Sequence, residues 1–390
     1  MADAMSRCHD GGVPSSDTPG QVPDGFVPPP YPYDRLDRLV PVAAAHDGGV
    51  VDLSVGTPID PPADAVLSAL GGADTARRYP ASIGTAELRA AAAHWIERRF
   101  GVEVPPAQIG ACIGTKEFVG TTAHLLRLRS PDRDTVLYPA IAYPTYAMGA
   151  ALARCRAVPV PMRPDGALDL DAIDADDARR AVMLWSNSPA NPTGALDDLA
   201  AVAHWGRANS VPVFSDECYC EFTWETEPTT IIADGTDGVV VVHSLSKRSN
   251  LAGMRVGFYT GDAELVRYLQ EVRKHLGMMV PGPAQSAGVA ALEDQDHVTA
   301  QRDRYRRRIE RLAEILGAWL GTEVALPAGG FYLWIPVEDG WATTEALATE
   351  AGALVSPGEF YGDAGTGFIR VAAVQPDDRI EVLARRLGVA

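Results

Sequence analysis

The chain has 390 residues, of which 46% are apolar and 22% are charged, and its formal net charge is −17. This length and composition are typical of a globular protein of about two to three domains. The negative charge argues against a nucleic-acid or anionic-membrane partner, because either partner would require a basic face.

Further features of the composition narrow the class of protein. No apolar run approaches the length that crosses a bilayer, and the first residues lack the order of a signal peptide, so we expect a cytoplasmic protein. The 5 cysteines form no CxxC pair, which fits a reducing compartment. The 8 histidines show no ligand-like spacing, so we expect no metal site.

The predicted elements begin after an N-terminal arm. Residues 1–30 are rich in Gly, Pro, Ser and Asp and contain few large apolar residues, which predicts a flexible segment. A short strand is expected within residues 52–58. Strand-like and helix-like segments then alternate. Helices are predicted at 86–100, 116–128, 146–153 and 196–208, and strands at 135–138, 182–185, 211–214 and 239–242.

These apolar strands lack polar alternation, which predicts a mostly parallel sheet covered by helices on both faces. Ligands of such sheets bind beyond the carboxyl ends of the strands. After Pro281 the pattern changes to a long helix at about 284–320, strands near 330–334 and 368–371 with a helix between them, and a terminal helix. We therefore predict a large domain of residues 61–284, and a smaller α+β domain formed by residues 31–60 and 285–390.

A lysine follows one of these strands, in the segment Ser244-Leu245-Ser246-Lys247, with Arg255 further along the chain. A lysine amine forms a Schiff base with an aldehyde such as that of pyridoxal phosphate. The phosphate of that aldehyde then requires hydroxyls, backbone N–H groups and a guanidinium. An ordinary strand-to-loop exit is the alternative interpretation.

Three more motifs follow predicted strands or open helices. The segment Gly114-Thr115-Lys116-Glu117 opens a helix, whose N-terminal N–H groups bind phosphate or are simply capped. A turn rich in Asn and Pro spans residues 187–194. Asp216 ends an apolar strand three residues before Tyr219. A buried carboxylate there would keep a pyridine nitrogen protonated, whereas a loop cap is the alternative.

In this order, the motifs resemble the fold type I pyridoxal-phosphate enzymes, specifically the class I/II aminotransferases, from about Tyr33 to the C-terminus. The resemblance implies an α/β fold with a large and a small domain. It also implies that Lys247 forms the Schiff base and moves the substrate proton, and that Asp216 pairs with the pyridinium nitrogen. Tyr219 and Asn191 are then expected to hydrogen-bond the ring phenolate oxygen.

The resemblance implies further roles around the cofactor. Tyr143 looks like the tyrosine that stacks on the ring, although a packed core tyrosine is the alternative. Tyr79 resembles a tyrosine that reaches the partner subunit's phosphate, so a homodimer is implied. The phosphate itself is expected to bind the amides of Thr115 and Lys116 and the side chains of Ser244, Ser246 and Arg255.

Substrate contacts are implied at three positions. Arg370 follows apolar neighbours in Phe368-Ile369-Arg370, and its family counterpart clamps the substrate α-carboxylate. A solvent-exposed arginine is the alternative. Gly56 resembles a glycine that lets the backbone approach the same carboxylate, and Asn191 is assigned to this group as well.

Other segments, among them 54–58, 113–117, 142–146, 276–281 and 357–362, look like those of actinobacterial-type N-succinyldiaminopimelate aminotransferases. This similarity implies glutamate and 2-oxoglutarate as one substrate pair and N-succinyl-2-amino-6-oxopimelate as the amino acceptor. By charge, Lys116, Arg248 and Arg273 are candidates for binding the distal end of the substrate, and each is equally consistent with a solvated surface residue.

Several alternatives stay open. A paralogous aminotransferase with another substrate would keep every cofactor residue, and the N-terminal arm is a departure that fits such a paralogue. A fold type I lyase acting on cysteine conjugates would use the same pocket. A cofactor-binding transcription regulator would carry a basic module that residues 1–30 do not provide, and a dehydrogenase would show a GxGxxG turn.

Overall fold

A seven-stranded sheet organises the part of the chain that the computed structural model describes, residues 25–71 and 77–389. The strands are β1 Val51–Asp52, β2 Ile109–Cys112, β3 Thr135–Pro139, β4 Arg156–Val160, β5 Ala181–Asn187, β6 Val213–Asp216, β7 Val239–Ser244, β8 Gly257–Gly261, β9 Tyr332–Pro336, β10 Ala353–Leu354, β11 Ser356–Pro357 and β12 Phe368–Ala372. The α-helices are α1 Val40–Ala44, α2 Asp64–Leu70, α3 Ala86–Phe100, α4 Thr115–Arg129, α5 Thr145–Leu152, α6 Ala175–Arg180, α7 Leu199–Asn209, α8 Leu245–Arg248, α9 Ala263–His275, α10 Gly282–Glu293, α11 Asp296–Leu320, α12 Gly340–Ala351 and α13 Asp377–Arg386.

The large sheet has the strand order β2-β8-β7-β6-β5-β3-β4. Its strands are parallel except for β8, which is antiparallel to both β7 and β2. In register, Asn187 lies beside Asp216, and Asp216 lies beside Val242. The predicted mostly parallel sheet is therefore confirmed, and the carboxyl ends of β5, β6 and β7 lie side by side.

Strand β7 shows why the strand sequences are continuously apolar. Val239 and Val241 belong to the core on one face of the sheet, whereas Val240 and Val242 belong to the core on the other face. Because successive side chains of a strand point to opposite faces, each face needs its own apolar residues. Helices cover both faces, so every position of this strand is buried.

A second core lies around a three-stranded antiparallel sheet with the order β11-β12-β9. Val51 and Leu53 join this core, together with residues of α11 and α13 such as Ile309 and Ile380. Strand β1 pairs in parallel with β10, which is about 300 residues later in the chain. The predicted domain boundaries at residues 60 and 285 stay a prediction.

Two predicted elements were wrong in extent. The helix expected over 284–320 is two helices, because Asp294 adopts an extended conformation and its carboxylate accepts a hydrogen bond from the Asp296 N–H at 2.9 Å. The helix is therefore interrupted at Asp294, although the helical spacing of the apolar residues continues across this position. The strand expected within 52–58 forms only at Val51–Asp52.

The sequence also left β2, β4, β8 and α9 unassigned. Strand β4, Arg156–Val160, lies at the edge of the large sheet and has mostly exposed side chains, so it lacks the apolar signal of a central strand. Of the predicted N-terminal arm, residues 1–24 lie outside the described residues. Residues 25–30 are exposed and form no helix or strand.

In the ranges 25–71 and 77–389, no helix combines the length and the apolar character that crossing a bilayer requires. The same ranges contain no group of three or more His, Cys, Asp or Glu side chains arranged to hold a metal ion.

A buried ion pair fixes helix α4 beside the sheet. The Arg273 guanidinium, which is 1% exposed, donates to both carboxylate oxygens of Glu117, at 2.8 and 2.7 Å. The Glu117 carboxylate also accepts from the backbone N–H of Ile113 at 3.1 Å. This bidentate pair therefore connects α9 to the first turn of α4.

We expect Glu117→Gln to lower the free energy of unfolding by about 3 kcal/mol, because it leaves the buried Arg273 charge without its partner. Denaturant unfolding measures this change. The control is Glu271→Gln, whose carboxylate pairs with Lys274 on the surface at 3.7 Å. That control is expected to change stability by less than about 0.5 kcal/mol. Equal effects of the two variants would contradict the structural role of the Glu117 pair.

Candidate functional site

A cavity of about 460 Å³ lies at the carboxyl ends of β5, β6 and β7. Nearly all the predicted site residues line it. They are Gly56, Thr115, Lys116, Tyr143, Asn191, Asp216, Tyr219, Ser244, Ser246, Lys247, Arg255 and Arg370. Tyr79 is the exception, since its side chain is 95% exposed and lies outside this cavity.

One end of the cavity suits a phosphate group. Helix α4 begins there, and Gly114 before it has φ +70°, with Arg255 so close that an added Cβ would lie 2.1 Å from its Nη2 atom. Arg255 is held by the carbonyl of Ala252, to which its Nη1 donates at 2.9 Å. Helix N-terminal N–H groups and a guanidinium together favour an oxyanion. Ser244 and Ser246 supply hydroxyls at the same cavity.

Lys247 lies in α8, the short helix that directly follows β7. Its Nζ donates a hydrogen bond to the carbonyl oxygen of Gly56. Burial lowers the pKa of Lys247 from its ordinary value to about 8, since the charged form loses hydration. A substantial fraction of the amine is therefore neutral, and able to attack a carbonyl, near pH 8.

Asp216 ends β6 and is 7% exposed. Its Oδ2 accepts a hydrogen bond from the Tyr146 hydroxyl at 3.0 Å, and its Oδ1 accepts one from the Cys218 N–H at 3.2 Å. Burial raises the pKa of this carboxyl above its ordinary value. A cationic ring nitrogen facing the carboxylate would compensate this buried charge.

Arg370 belongs to β12 and is 1% exposed, so the solvent-exposed alternative is wrong. Its Nη1 donates to Oδ1 of Asn191 at 2.9 Å, and its Nη2 donates to the carbonyl of Ser54. Its Nε is buried without a hydrogen-bond partner among the described residues. Among the described residues this buried guanidinium has no carboxylate partner, which is costly, and a substrate carboxylate would supply the missing charge.

Tyr219 is buried, and its hydroxyl lies 2.9 Å from that of Tyr332. The Tyr332 hydroxyl also lies against Gly56, because a Cβ added to Gly56 would be 1.9 Å from it. Tyr143 lies across the cavity, with its ring centroid 6.0 Å from the Lys116 amine. Burial raises the pKa of both Tyr219 and Tyr143.

The three candidates for binding a distal substrate group differ in position. Arg248 is 3% exposed and donates to Glu221 at 2.9 Å, and Arg273 pairs with Glu117. Neither arginine lines the cavity. Lys116 does line it, and its Nζ donates to the Tyr31 hydroxyl at 2.9 Å. Among the described residues, Lys116 has no carboxylate partner.

Four lining tyrosines were missed in the sequence analysis, and one of them, Tyr146, is the residue that donates to Asp216. Tyr31 and Tyr33 come from the segment that follows the predicted arm, and the Tyr33 hydroxyl lies 2.9 Å from that of Tyr361. Tyr332 opens β9. No local motif marks Tyr31, Tyr33 or Tyr332 as a site residue. The one local sign is that Pro32 lies between two tyrosines.

The charges of the cavity are opposite to that of the whole chain. Four cationic side chains line it, namely Lys116, Lys247, Arg255 and Arg370, whereas Asp216 is the one carboxylate among its described lining residues. The chain as a whole has a formal net charge of −17. Low-dielectric walls strengthen such a local field, so this cavity favours ligands that carry several negative charges.

Comparison with known proteins agrees with this site. The family model "Aminotransferase class I and II" matches residues 48–387. A probable aminotransferase of Mycobacterium tuberculosis is 41% identical over 92% of this chain and 85% of its own length. The 4-dedimethylamino-4-oxo-anhydrotetracycline transaminase of Streptomyces rimosus is also 41% identical, over 92% of this chain and 99% of its own.

A solved structure gives the same result. The probable N-succinyldiaminopimelate aminotransferase from Thermus thermophilus superposes with a TM-score of 0.82 at 31% identity, covering 91% of this chain and 99% of the other. The fold and site therefore define a fold type I pyridoxal-phosphate enzyme. The chain belongs to the class I and II aminotransferases, and its activity is pyridoxal-phosphate-dependent amino transfer.

The residues present fit this cofactor. A helix N-terminus with Arg255 suits its phosphate, the buried Asp216 suits its pyridinium nitrogen, and the Lys247 amine suits its aldehyde. These three groups line one cavity. The cofactor assigned from the sequence is confirmed by the family.

The lowered pKa of Lys247 predicts the pH dependence of cofactor attachment. The neutral amine is the nucleophile, so attachment is expected to be half-maximal near pH 8 and to fall about tenfold per pH unit below it. Borohydride trapping of the lysine–cofactor bond across pH measures this dependence. Lys247→Ala is the control and is expected to trap nothing at this position. A midpoint near pH 10 would contradict the effect of burial.

Proposed function

We propose that this aminotransferase moves an amino group between the glutamate/2-oxoglutarate pair and N-succinyl-LL-2,6-diaminopimelate/N-succinyl-2-amino-6-oxopimelate. The observation that carries the proposal is the presence of Arg370 and Lys116 in one cavity that contains a single carboxylate among its described lining residues. The named substrate has two carboxylates besides the one at its reacting carbon. The similarity to the Thermus thermophilus protein supports the same choice.

Pyridoxal phosphate, when bound, supplies an aldehyde that condenses with amines and a ring that takes up electrons from the substrate α-carbon. In our proposal, Lys247 binds the aldehyde in the resting enzyme and then moves the α-proton with its freed amine. Asp216 keeps the ring nitrogen protonated, and Tyr146 and the Cys218 N–H orient its carboxylate. Tyr219 and Asn191 contact the ring oxygen.

The phosphate and substrate contacts follow from the same geometry. We propose that Arg255, Ser244, Ser246 and the first amides of α4, at Thr115 and Lys116, hold the phosphate, and that Tyr143 stacks on the ring. Arg370 clamps the substrate α-carboxylate, since Asn191 and the Ser54 carbonyl already orient its guanidinium. Gly56 is proposed to let the backbone approach the same carboxylate, and only glycine fits there because a Cβ would lie 1.9 Å from the Tyr332 hydroxyl.

We further propose a homodimer in which Tyr79 reaches the neighbouring site. The support is its position, since a tyrosine 95% exposed and outside its own cavity is available to a second copy of the chain.

Lys116 is proposed to bind a distal carboxylate of the substrate. Its Nζ is stabilised by the Tyr31 hydroxyl and lies 4.4 Å from the centre of the Tyr31 ring. Although partial burial opposes the charge, these tyrosine contacts raise the pKa of Lys116. The amine is therefore charged at neutral pH and available for an anionic group.

We expect Lys116→Met to raise the KM for the succinylated acceptor about 10- to 100-fold, as loss of a charged hydrogen bond predicts. The cofactor should still bind, because the amide of residue 116 is unchanged. Steady-state kinetics with succinylated and unsuccinylated substrates measures the effect. The control is Lys274→Met, whose amine lies 3.7 Å from Glu271 outside the cavity. An unchanged KM in Lys116→Met would contradict this role.

A single site that serves two substrates in turn predicts ping-pong kinetics. Initial-rate plots for glutamate and the keto-acid acceptor are expected to be parallel lines. Intersecting lines would rule out the exchange through one site. Release of pyruvate and ammonia from cysteine conjugates without an acceptor would instead identify the lyase alternative.

A paralogous aminotransferase is the second candidate. The relative from Streptomyces rimosus, whose name gives a tetracycline intermediate as its substrate, has the same 41% identity as the relative from Mycobacterium tuberculosis. Such an acceptor is bulky and polycyclic, whereas Lys116 and Arg370 favour a flexible chain with carboxylates at both ends. Transamination of polycyclic ketones, with no activity on diaminopimelate derivatives, would favour this second candidate.

A further inference from the structure

The proposed function assigns no role to the hydroxyl of Tyr332. Tyr332 is the first residue of β9 and is 1% exposed, yet it lines the cofactor cavity. Its hydroxyl lies 2.9 Å from the hydroxyl of Tyr219, and this buried pair joins residues 113 positions apart in the chain. A buried hydroxyl pair of this kind has one hydrogen bond between two possible donors.

Two other site residues contact Tyr332. The guanidinium carbon of Arg370 lies 4.3 Å from the centre of the Tyr332 ring, which is a favourable cation–π distance. Gly56 leaves the space that the hydroxyl occupies, since a Cβ at Gly56 would lie 1.9 Å from it. The position of Tyr332 is therefore determined on both sides, by Arg370 at the ring and by Gly56 at the hydroxyl.

We propose that Tyr332 is a positioning residue whose hydroxyl donates to the Tyr219 oxygen and thereby directs the Tyr219 proton toward the ring oxygen of the cofactor. This inference rests on the proposed function, in which Tyr219 contacts that oxygen.

The number of protons on the two hydroxyls supports this direction. Burial raises the pKa of Tyr332 to about 12, with the Arg370 charge acting in the opposite direction. Burial raises the pKa of Tyr219 well above its ordinary value, and Tyr332 contributes to the increase. The groups that act on Tyr332 are Arg370, Tyr219, Tyr33 and Tyr143. Each hydroxyl carries one proton, and in the proposed function Tyr219 directs its own toward the cofactor, so Tyr332 is the donor between the two hydroxyls.

A hydroxyl that accepts a hydrogen bond becomes a stronger donor itself, because a chain of hydrogen bonds polarises each member. With Tyr332 donating, the single Tyr219 proton is left for the cofactor. Without Tyr332, Tyr219 becomes a weaker donor to the negative ring oxygen. Its stabilisation of the unprotonated cofactor–lysine chromophore then decreases, and the proton affinity of the chromophore rises.

The contact also connects the two sheets. Tyr219 follows β6 of the seven-stranded sheet, whereas Tyr332 and Arg370 belong to neighbouring strands of the three-stranded sheet. The residue that would bind the substrate carboxylate and the residue that orients Tyr219 therefore lie in the same sheet.

The test uses Tyr332→Phe, which removes one oxygen and keeps the ring. With cofactor bound, the absorbance at roughly 400–430 nm is titrated with pH. We expect the chromophore pKa to rise by about half a unit, as the loss of one neutral hydrogen bond predicts. Tyr219→Phe is expected to raise it further, and adding Tyr332→Phe to Tyr219→Phe should cause no additional shift.

The matched control is Tyr305→Phe. Tyr305 is also fully buried, and its ring lies in the same aromatic cluster, but its hydroxyl has no hydrogen-bond partner among the described residues. This control is expected to leave the chromophore pKa unchanged. Gly56→Ala, which displaces the Tyr332 hydroxyl, is expected to raise the pKa as Tyr332→Phe does.

An unchanged or lowered chromophore pKa in Tyr332→Phe would overturn the inference, as would an equal shift in Tyr305→Phe. Equal shifts by Tyr332→Phe in the presence and absence of the Tyr219 hydroxyl would do the same. None of these results would contradict the aminotransferase assignment or the proposed substrate, because both are tested by turnover of the unmodified enzyme. If the enzyme did not turn over the proposed substrate, the chromophore titration would still test the role of Tyr332, because it needs no substrate.

Discussion

The parallel pairing of β5, β6 and β7 is the constraint on which the site depends. Because these strands run in the same direction and are in register, Asn187, Asp216 and the end of β7 at Ser244 lie at one edge of the sheet. Each strand is buried on both faces, so its polar site residues lie at its carboxyl end or directly after it. Lys247 follows within one turn, which places an amine and a carboxylate in the same cavity.

Burial in this cavity changes the pKa of both the Lys247 amine and the Asp216 carboxyl in directions that suit the cofactor. The Lys247 amine loses hydration, so its pKa falls to about 8, and the Asp216 carboxyl becomes harder to ionise without a cationic partner. A buried amine and a buried acid are costly in a fold that serves only stability. In an enzyme of this family, the costs are offset when the cofactor supplies the partner of each group.

The local field has a second consequence. A chain of net charge −17 would repel acidic substrates, yet the cavity collects four cations around one carboxylate among its described residues. Other cations of the chain are neutralised elsewhere, as Arg248 is by Glu221 and Arg273 by Glu117. Specificity for acidic substrates therefore depends on which arginines and lysines lack a carboxylate partner, rather than on how many the chain contains.

The sequence by itself determined the elements and the chemistry that are local. Helix α3 lies at Ala86–Phe100 as predicted, the apolar strands lie where their runs do, and the Lys247 and Asp216 motifs lie at strand ends, because periodicity and turn chemistry act over a few residues. Only the tertiary structure decided which distant side chains share the cavity. It excluded Arg248 and Arg273, retained Lys116 and brought in Tyr332, since ion pairing and packing depend on residues outside the local motif, such as Glu221 for Arg248, Glu117 for Arg273 and Tyr219 for Tyr332.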